Sequence, residues 1–421
     1  MRILLIVTAL LQTVWWIAVW FAGYLTDWKC LCFFLVSTPI SAALLGMMPQ
    51  NITFRLKALK EYLVSKERFF LLVLSGMAFV IGVLYAIFRN PLVDEKYILI
   101  TAEVISKIGI AHFFTQYSQI TWFTTRYPPL MAMIYGFALR FFGNEWWALR
   151  LISLTFGIGT MLLTYYLAKK LYGRSVACLA ALFFLSSPFF FHYGAAIYTD
   201  MPATFFFTLA LFSFLSLLDR PRWRSVLFTG LGTAAALFTR YTTVLIYPIF
   251  LGSTWVYHQF SRIRVYLGIV LFLSFALEAG WGIYLYQAGI LGAHIKVITY
   301  HAGAVLRDLE AGKLWIAKSL FIKFPSFLGI YNLPALLLGG LCFLRRKNDH
   351  DRFILLWIVM VILPFLVTFP NSRYFFPALP ALAVVMACGL ERFFEMVEPI
   401  ILQILIYEAG TLYLFVHLGH R

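Results

Sequence analysis

Long apolar runs decide what this chain can become. Stretches near 3–23, 30–48, 69–89, 147–168, 175–192, 201–218, 225–238, 241–257, 265–285, 326–344, 353–369, 375–390 and 396–418 are nearly free of charge. Crossing hydrocarbon takes about 20 mostly apolar residues. Backbone polar groups must be bonded inside a spanning element, so each run is predicted to be a helix. The expected fold class is an all-α polytopic membrane protein with about 11 to 13 transmembrane helices. The count is a range because Arg240, in "LFTRYT", divides 225–238 from 241–257. Composition agrees: 62% of the 421 residues are hydrophobic and 12% charged, against roughly 25% charged in a soluble domain.

Short basic segments set the orientation. "RLKALKEYLVSKER" (55–68), "KKLYGR" (169–174), "DRPRWR" (219–224), "SRIR" (261–264) and "RRKNDHDR" (345–352) all fit one threading with the N-terminus in the cytoplasm. The formal net charge of +16 is then chiefly an orientation signal, with some attraction to anionic lipid. No nucleic-acid partner is expected, because the basic residues are dispersed among membrane loops. Arg2 precedes the first run and no small-residue cleavage site follows, which predicts an uncleaved anchor. Cys30, Cys32, Cys178, Cys342 and Cys388 mostly sit inside apolar runs, so no disulfide framework is expected.

The same threading sends 90–146, 193–200, the neighbourhood of 240, 286–325 and 370–374 to the other face. The first of these opens on "NPLVDEKYI", with Asp94 and Glu95 adjacent, and ends in "RYPPLMAMIYGFALRFFGNEWW". Residues 95–109, and the apolar piece after Pro128–Pro129, are predicted to be helices lying in the membrane interface. "IYTDMPATFFF" puts Asp200 at a span junction, with Pro202 in the first turn of the next helix. Asp94, Glu95, Asp200, Arg126, Arg240 and Arg373 therefore converge on one side, where charges near hydrocarbon need a partner, a ligand or water. Plainer readings stand beside this one: Asp94 and Glu95, or Asp200, as helix caps, and Arg373 as a snorkelling side chain.

Five segments, in order, carry a resemblance: "NPLVDEKYI", "RYPPLMAMIYGFALRFFGNEWWALRL", "TYYLAKKLYGRSVACLAALFFLSSP", "YTDMPATFFFTLALF" and "RYFFPALPALAVV". Over about 69–390 the chain resembles membrane glycosyltransferases of the GT-C fold. More narrowly, it is similar to the group of protein O-mannosyltransferases and lipid A aminoarabinose transferases, which use polyprenyl-phosphate-linked sugars. The resemblance implies that Asp94 contacts or deprotonates the acceptor, with Glu95 as second member of a "DE" signature and Asp200 as an auxiliary acid. Where many relatives have His or Lys before the paired prolines, this chain has Tyr127, and Arg126 is the nearest substitute for a phosphate contact.

The chemistry implied needs a cationic clamp for a departing phosphate, for which Arg126, Arg240 and Arg373 are the candidates, and a carboxylate as general base. Tyr97, Tyr127, His192, Tyr193, His301 and Tyr374 are candidate donor or acceptor contacts. A single displacement would make the enzyme inverting, with a lipid, glycan or protein acceptor. The cell membrane, a prokaryotic plasma membrane, is the expected location, with the site outside the cytoplasm. No glycine-rich nucleotide loop is present. Asp94, Glu95 and Asp200 are hard oxygen ligands, so a divalent cation is a possible cofactor. Three regions are expected: 1–68, an added two-helix region and linker; 69–285, the catalytic membrane module; and 286–421, a loop and helices with no soluble C-terminal domain. The competing reading is a polytopic transporter or lipid-linked saccharide flippase, kept open by Arg240 and Glu278 deep in apolar sequence.

Overall fold

A computed structural model of the chain describes residues 65–88, 93–116, 128–143, 145–295, 324–329, 332–346, 348–367 and 372–397. Among them all regular structure is helical, the solution that lets a chain satisfy its backbone without water. The first helix, α1 (Glu67–Phe88), is followed by α2 (Val93–Thr115), whose first turn holds the paired acids, and α3 (Leu130–Phe142) begins directly after Pro128–Pro129. The long α4 (Trp146–Tyr172) turns into α5 (Arg174–Ser186) at Gly173, whose φ of 92° suits a residue without Cβ. Ser187 then stops the ladder, its hydroxyl accepting from the Phe189 amide, and Pro188 opens the short α6 (Pro188–Tyr193). The stretch read as one span at 175–192 is thus two helices, because hydropathy runs on through a proline that backbone geometry cannot ignore.

Next come α7 (Asp200–Asp219) and α8 (Trp223–Thr239). Arg240 follows in extended conformation, then a 3₁₀ turn (Tyr241–Leu245) that feeds α9 (Ile246–Val256). The predicted interruption at Arg240 is therefore a real break in the helix. The chain continues through α10 (Phe260–Gln287), α11 (Phe324–Leu328), α12 (Leu333–Arg346) and α13 (Asp349–Val367) to a 3₁₀ segment (Ser372–Ala378) and α14 (Leu379–Val397). Six described stretches are long and apolar enough to cross a membrane: Glu67–Ile87, Glu95–Thr115, Trp146–Tyr172, Asp200–Asp219, Phe260–Gln287 and Arg373–Arg392. This is a multi-pass membrane protein. The second of the six contains 95–109, read from sequence as interfacial; the helix runs on past a break at Gly109. The predicted spans 3–23, 30–48 and most of 396–418 lie outside the described residues.

Contacts group Glu61–Glu395 into one unit, and elements from both sides of residue 285 share its main core. There, Phe184 of α5, Phe207 and Phe214 of α7, Phe250 of α9 and Trp357 of α13 are fully buried. A smaller cluster of Ile98, Leu99, Met131, Tyr135, Leu149 and Ile197 seats α2 and α3 on the start of α4. The α2–α3 crossing is tight: a Cβ on Gly136 would lie 2.7 Å from the Ile105 side chain and 2.9 Å from the Ala102 carbonyl. Six threonines inside the bundle are satisfied locally. Thr160, Thr164, Thr204, Thr208, Thr229 and Thr233 each donate to the carbonyl four residues earlier, at 2.7–2.8 Å, so their hydroxyls cost little in hydrocarbon.

The basic loops meet at one end of the bundle. Glu67 binds Lys169 at 3.0 Å and accepts from the Tyr165 hydroxyl at 2.8 Å, while Lys170 pairs with Asp219 at 2.6 Å. The 345–352 loop joins them through the Tyr172 hydroxyl, which donates to Asp351 at 2.8 Å. Glu95, Asp200, Arg240 and Arg373, singled out on the far side of the spans, lie at the opposite end.

Candidate active site

Helix α2 carries two carboxylates in its first turn, and Glu95 is driven inward with no exposure at all. Burial of a carboxylate demands charged and hydrogen-bonding partners. Arg150, one turn into α4 and 2% exposed, supplies them: Nη2 reaches Oε2 at 3.0 Å and Nε reaches Oε1 at 3.3 Å. The Ile197 amide donates to Oε1 at 2.8 Å, and Arg150 Nη1 donates to the Ala86 carbonyl at 3.0 Å. One ion pair thereby ties the end of α1, the start of α2, the start of α4 and the loop before α7. The Tyr85 hydroxyl adds a 2.5 Å bond to the His192 carbonyl, and Tyr135 of α3 bonds Ser153 at 2.6 Å and donates to the Tyr198 carbonyl at 3.4 Å. Burial pushes the Tyr135 phenol far above its ordinary range, so it serves here as a neutral hydrogen-bonding group.

Three residues beyond Ile197, Asp200 opens α7, where a carboxylate is favoured by the helix dipole. Its Oδ1 is paired with Nη1 of Arg240. The two charges sit differently: the Asp200 side chain is 2% exposed and that of Arg240 is 12%. The Arg240 guanidinium also lies 5.0 Å from the ring centroid of Tyr374, and the neighbouring Arg373 guanidinium lies 5.0 Å from that of Tyr198. Both are cation–π distances. Tyr198 in turn packs on Tyr193 at 5.6 Å, and Tyr193 on the His192 ring at 4.5 Å. The result is one acid, two guanidinium groups and a run of aromatic rings, built from α6, the α6–α7 loop, the start of α7, the α8–α9 break and the 3₁₀ segment before α14.

Residues 126–281 match the model of the dolichyl-phosphate-mannose-protein mannosyltransferase family. A protein of Aquifex aeolicus (strain VF5), described as uncharacterised, is 25% identical over 277 residues, 62% of this chain and 52% of the relative. ArnT from Cupriavidus metallidurans, solved bound to undecaprenyl phosphate, superposes with a TM-score of 0.55 at 14% identity over 76% of this chain and 60% of ArnT. The archaeal oligosaccharyltransferase AglB from Archaeoglobus fulgidus, in complex with an inhibitory peptide and a dolichol-phosphate, gives 0.52 at 16% identity over 79% of this chain and 51% of AglB. The chain has the GT-C fold. It spans about half the length of the Aquifex relative and of AglB.

Within the GT-C fold, Glu95, Asp200, Arg240, Arg373, Tyr374, His192 and Tyr193 gather at one end of the bundle, and Asp94 stands beside Glu95 in the first turn of α2. Tyr97 lies half-buried two residues further along that helix. Arg126, Tyr127 and His301 lie outside the described residues. Of the acids read as possible cation ligands, Glu95 and Asp200 already hold guanidinium groups. Among the described residues, no group of three or more His, Cys, Asp or Glu side chains could hold a metal ion. Sequence reasoning passed over Arg150. Its trace in the sequence is a lone arginine four residues past the start of an apolar helix, in "EWWALRL".

Proposed function

We propose that this protein is an inverting glycosyltransferase that takes a sugar from a polyprenyl-phosphate donor and passes it to a lipid, glycan or protein acceptor. The site would face outside the cytoplasm, in a prokaryotic plasma membrane. The observation that carries this reading is the juxtaposition, at one end of the bundle, of a rigidly pinned acidic turn (Asp94–Glu95) with two guanidinium groups laid on tyrosine rings. The match to a mannosyltransferase family and the likeness to proteins solved with undecaprenyl phosphate or dolichol-phosphate support it.

In this reading the donor keeps its lipid in the bilayer and sets its phosphate against Arg240 and Arg373. Asp94 takes the proton of the acceptor hydroxyl as its oxygen attacks the anomeric carbon. The new C–O bond forms on one face while the old one breaks on the other, its electron pair leaving with the phosphate. The arginines stabilise that developing charge, and arginine's planar donor fork suits phosphate. Glu95 stays an ionic anchor for the turn that carries Asp94. The purified protein should therefore transfer from lipid-phosphate sugars and not from nucleotide sugars. Robust transfer from a soluble nucleotide sugar would reject the reading.

A further inference from the structure

Glu278 lies in α10, nine residues before Gln287, about 13 Å along the helix from its end at 1.5 Å per residue. Its Oε1 is buried without a hydrogen-bond partner. The polar groups around it are engaged with one another. The Tyr247 hydroxyl donates to Ser274 at 3.0 Å, the Trp281 indole donates to the Tyr241 hydroxyl at 3.2 Å, and that hydroxyl meets Nδ1 of His294 at 3.3 Å. Both tyrosines lie within electrostatic reach of the Glu278 carboxyl. An ionisable group at membrane depth is costly and ordinarily marks a partner.

Tyr247 also lines a cavity of about 360 Å³, together with Leu271, Phe272 and Phe275. Leu271, Phe275 and Glu278 stand at i, i+4 and i+7 on one stripe of α10. Phe272 and Phe275 are 70% and 68% exposed, so the cavity opens on the side a membrane helix turns to lipid. A carboxylate one helical turn beyond an apolar groove selects the occupant by charge. A phosphate-only head group is repelled by Glu278 and drawn to Arg240, the chain neighbour of Tyr241. A primary ammonium supplies both the countercharge and the hydrogen-bond donors that Oε1 lacks.

We propose that the groove between α9 and α10 is a second lipid site, separate from the Asp200–Arg240 centre, which holds a membrane phospholipid with a primary-ammonium head: its chain on Leu271, Phe272 and Phe275, its ammonium on Glu278. This goes beyond the transferase reading and does not depend on it.

The full-length protein is reconstituted in vesicles of equal phosphatidylethanolamine and phosphatidylglycerol, and the retained lipids are identified by native mass spectrometry. The wild type should keep phosphatidylethanolamine by about ten-fold over phosphatidylglycerol, as expected for a charge-assisted hydrogen bond. Glu278→Gln, nearly isosteric, should erase that preference. Phe275→Ala should lower retention of both lipids while leaving the preference in place. A preference that survives in Glu278→Gln, or its absence in the wild type, overturns the proposal. Retention is read without turnover, so failed sugar transfer leaves this outcome untouched.

Discussion

Arg150 grips Glu95 through two nitrogens, at 3.0 and 3.3 Å, across 55 residues of chain and with both side chains sealed from solvent. Breaking such a pair from one side leaves a bare buried charge and costs about 3–5 kcal/mol. Arg150→Met and Glu95→Leu should each lower the thermal midpoint in detergent strongly. The double variant should recover much of the loss, because an apolar pair can replace a buried ionic one. It should remain about 1–3 kcal/mol short, since the Ile197 amide that Glu95 accepts would lose its partner. If the double variant is no more stable than either single one, the pair is not the source of the stability.

Asp94 and Glu95 are adjacent on a helix and cannot point the same way. With Glu95 committed to Arg150, we expect Asp94→Asn to keep the melting midpoint and donor binding while turnover falls by about 10²–10⁴, the usual cost of removing a general base. Steady-state transfer from a lipid-phosphate sugar, measured beside donor binding, checks this. Near wild-type turnover in Asp94→Asn, with a dead Asp200→Asn, would move the base to Asp200.

Much of this arrangement was legible along the chain, for a definite reason. A membrane forces charge to the ends of spans, so five basic loops sufficed to place Asp94, Asp200, Arg240 and Arg373 at one end. Arg240 also announced the break between α8 and α9, because nothing apolar could bridge it. Pairings were not legible. Arg150 looks like any arginine near a span end, and its partner is remote in sequence. Tyr374 stands out through its neighbour Arg373, but Tyr198 could not be told from the rest of a chain that is 19% aromatic. The bend at Ser187–Pro188 was hidden for a related cause: hydropathy averages over a window, whereas a missing amide acts at a single residue.

Asp351 predicts a pH dependence at the other end of the bundle. Its Oδ1 accepts from Tyr172, but Oδ2 is buried without a partner. Burial raises the carboxyl above its ordinary range, outweighing the opposing pull of Tyr172, Arg346 and His350. A raised folded-state value means that the fold holds the proton more tightly than the unfolded chain does. Stability from this group is complete below the unfolded value of 3.8 and is lost as pH climbs through the folded one. Asp351→Asn keeps an acceptor for Tyr172 and has no proton to lose. Its melting midpoint relative to wild type should be lowest near about pH 4, rise as pH increases and then level off. A difference that is flat with pH would show that Asp351 titrates as it does in the unfolded chain.

The Asp200–Arg240 pair makes the sharpest prediction, because a lipid phosphate and Asp200 would compete for one guanidinium. Arg240 is the more exposed partner and already rests on Tyr374, so it can serve a ligand without leaving its place. Asp200→Asn removes the competing charge and should tighten polyprenyl-phosphate binding several-fold, even as turnover falls. Arg240→Met should weaken binding by about 10- to 100-fold, the value of one or two charge-assisted hydrogen bonds. Arg240→Lys should fall between, keeping the charge but losing the planar fork and the stacking on Tyr374. Equilibrium binding of polyprenyl phosphate to the three variants decides it. If Asp200→Asn weakens binding as much as Arg240→Met does, Asp200 is the brace that aims Arg240 rather than its competitor. If neither variant changes binding, the phosphate contact belongs to Arg373, whose guanidinium lies on Tyr198.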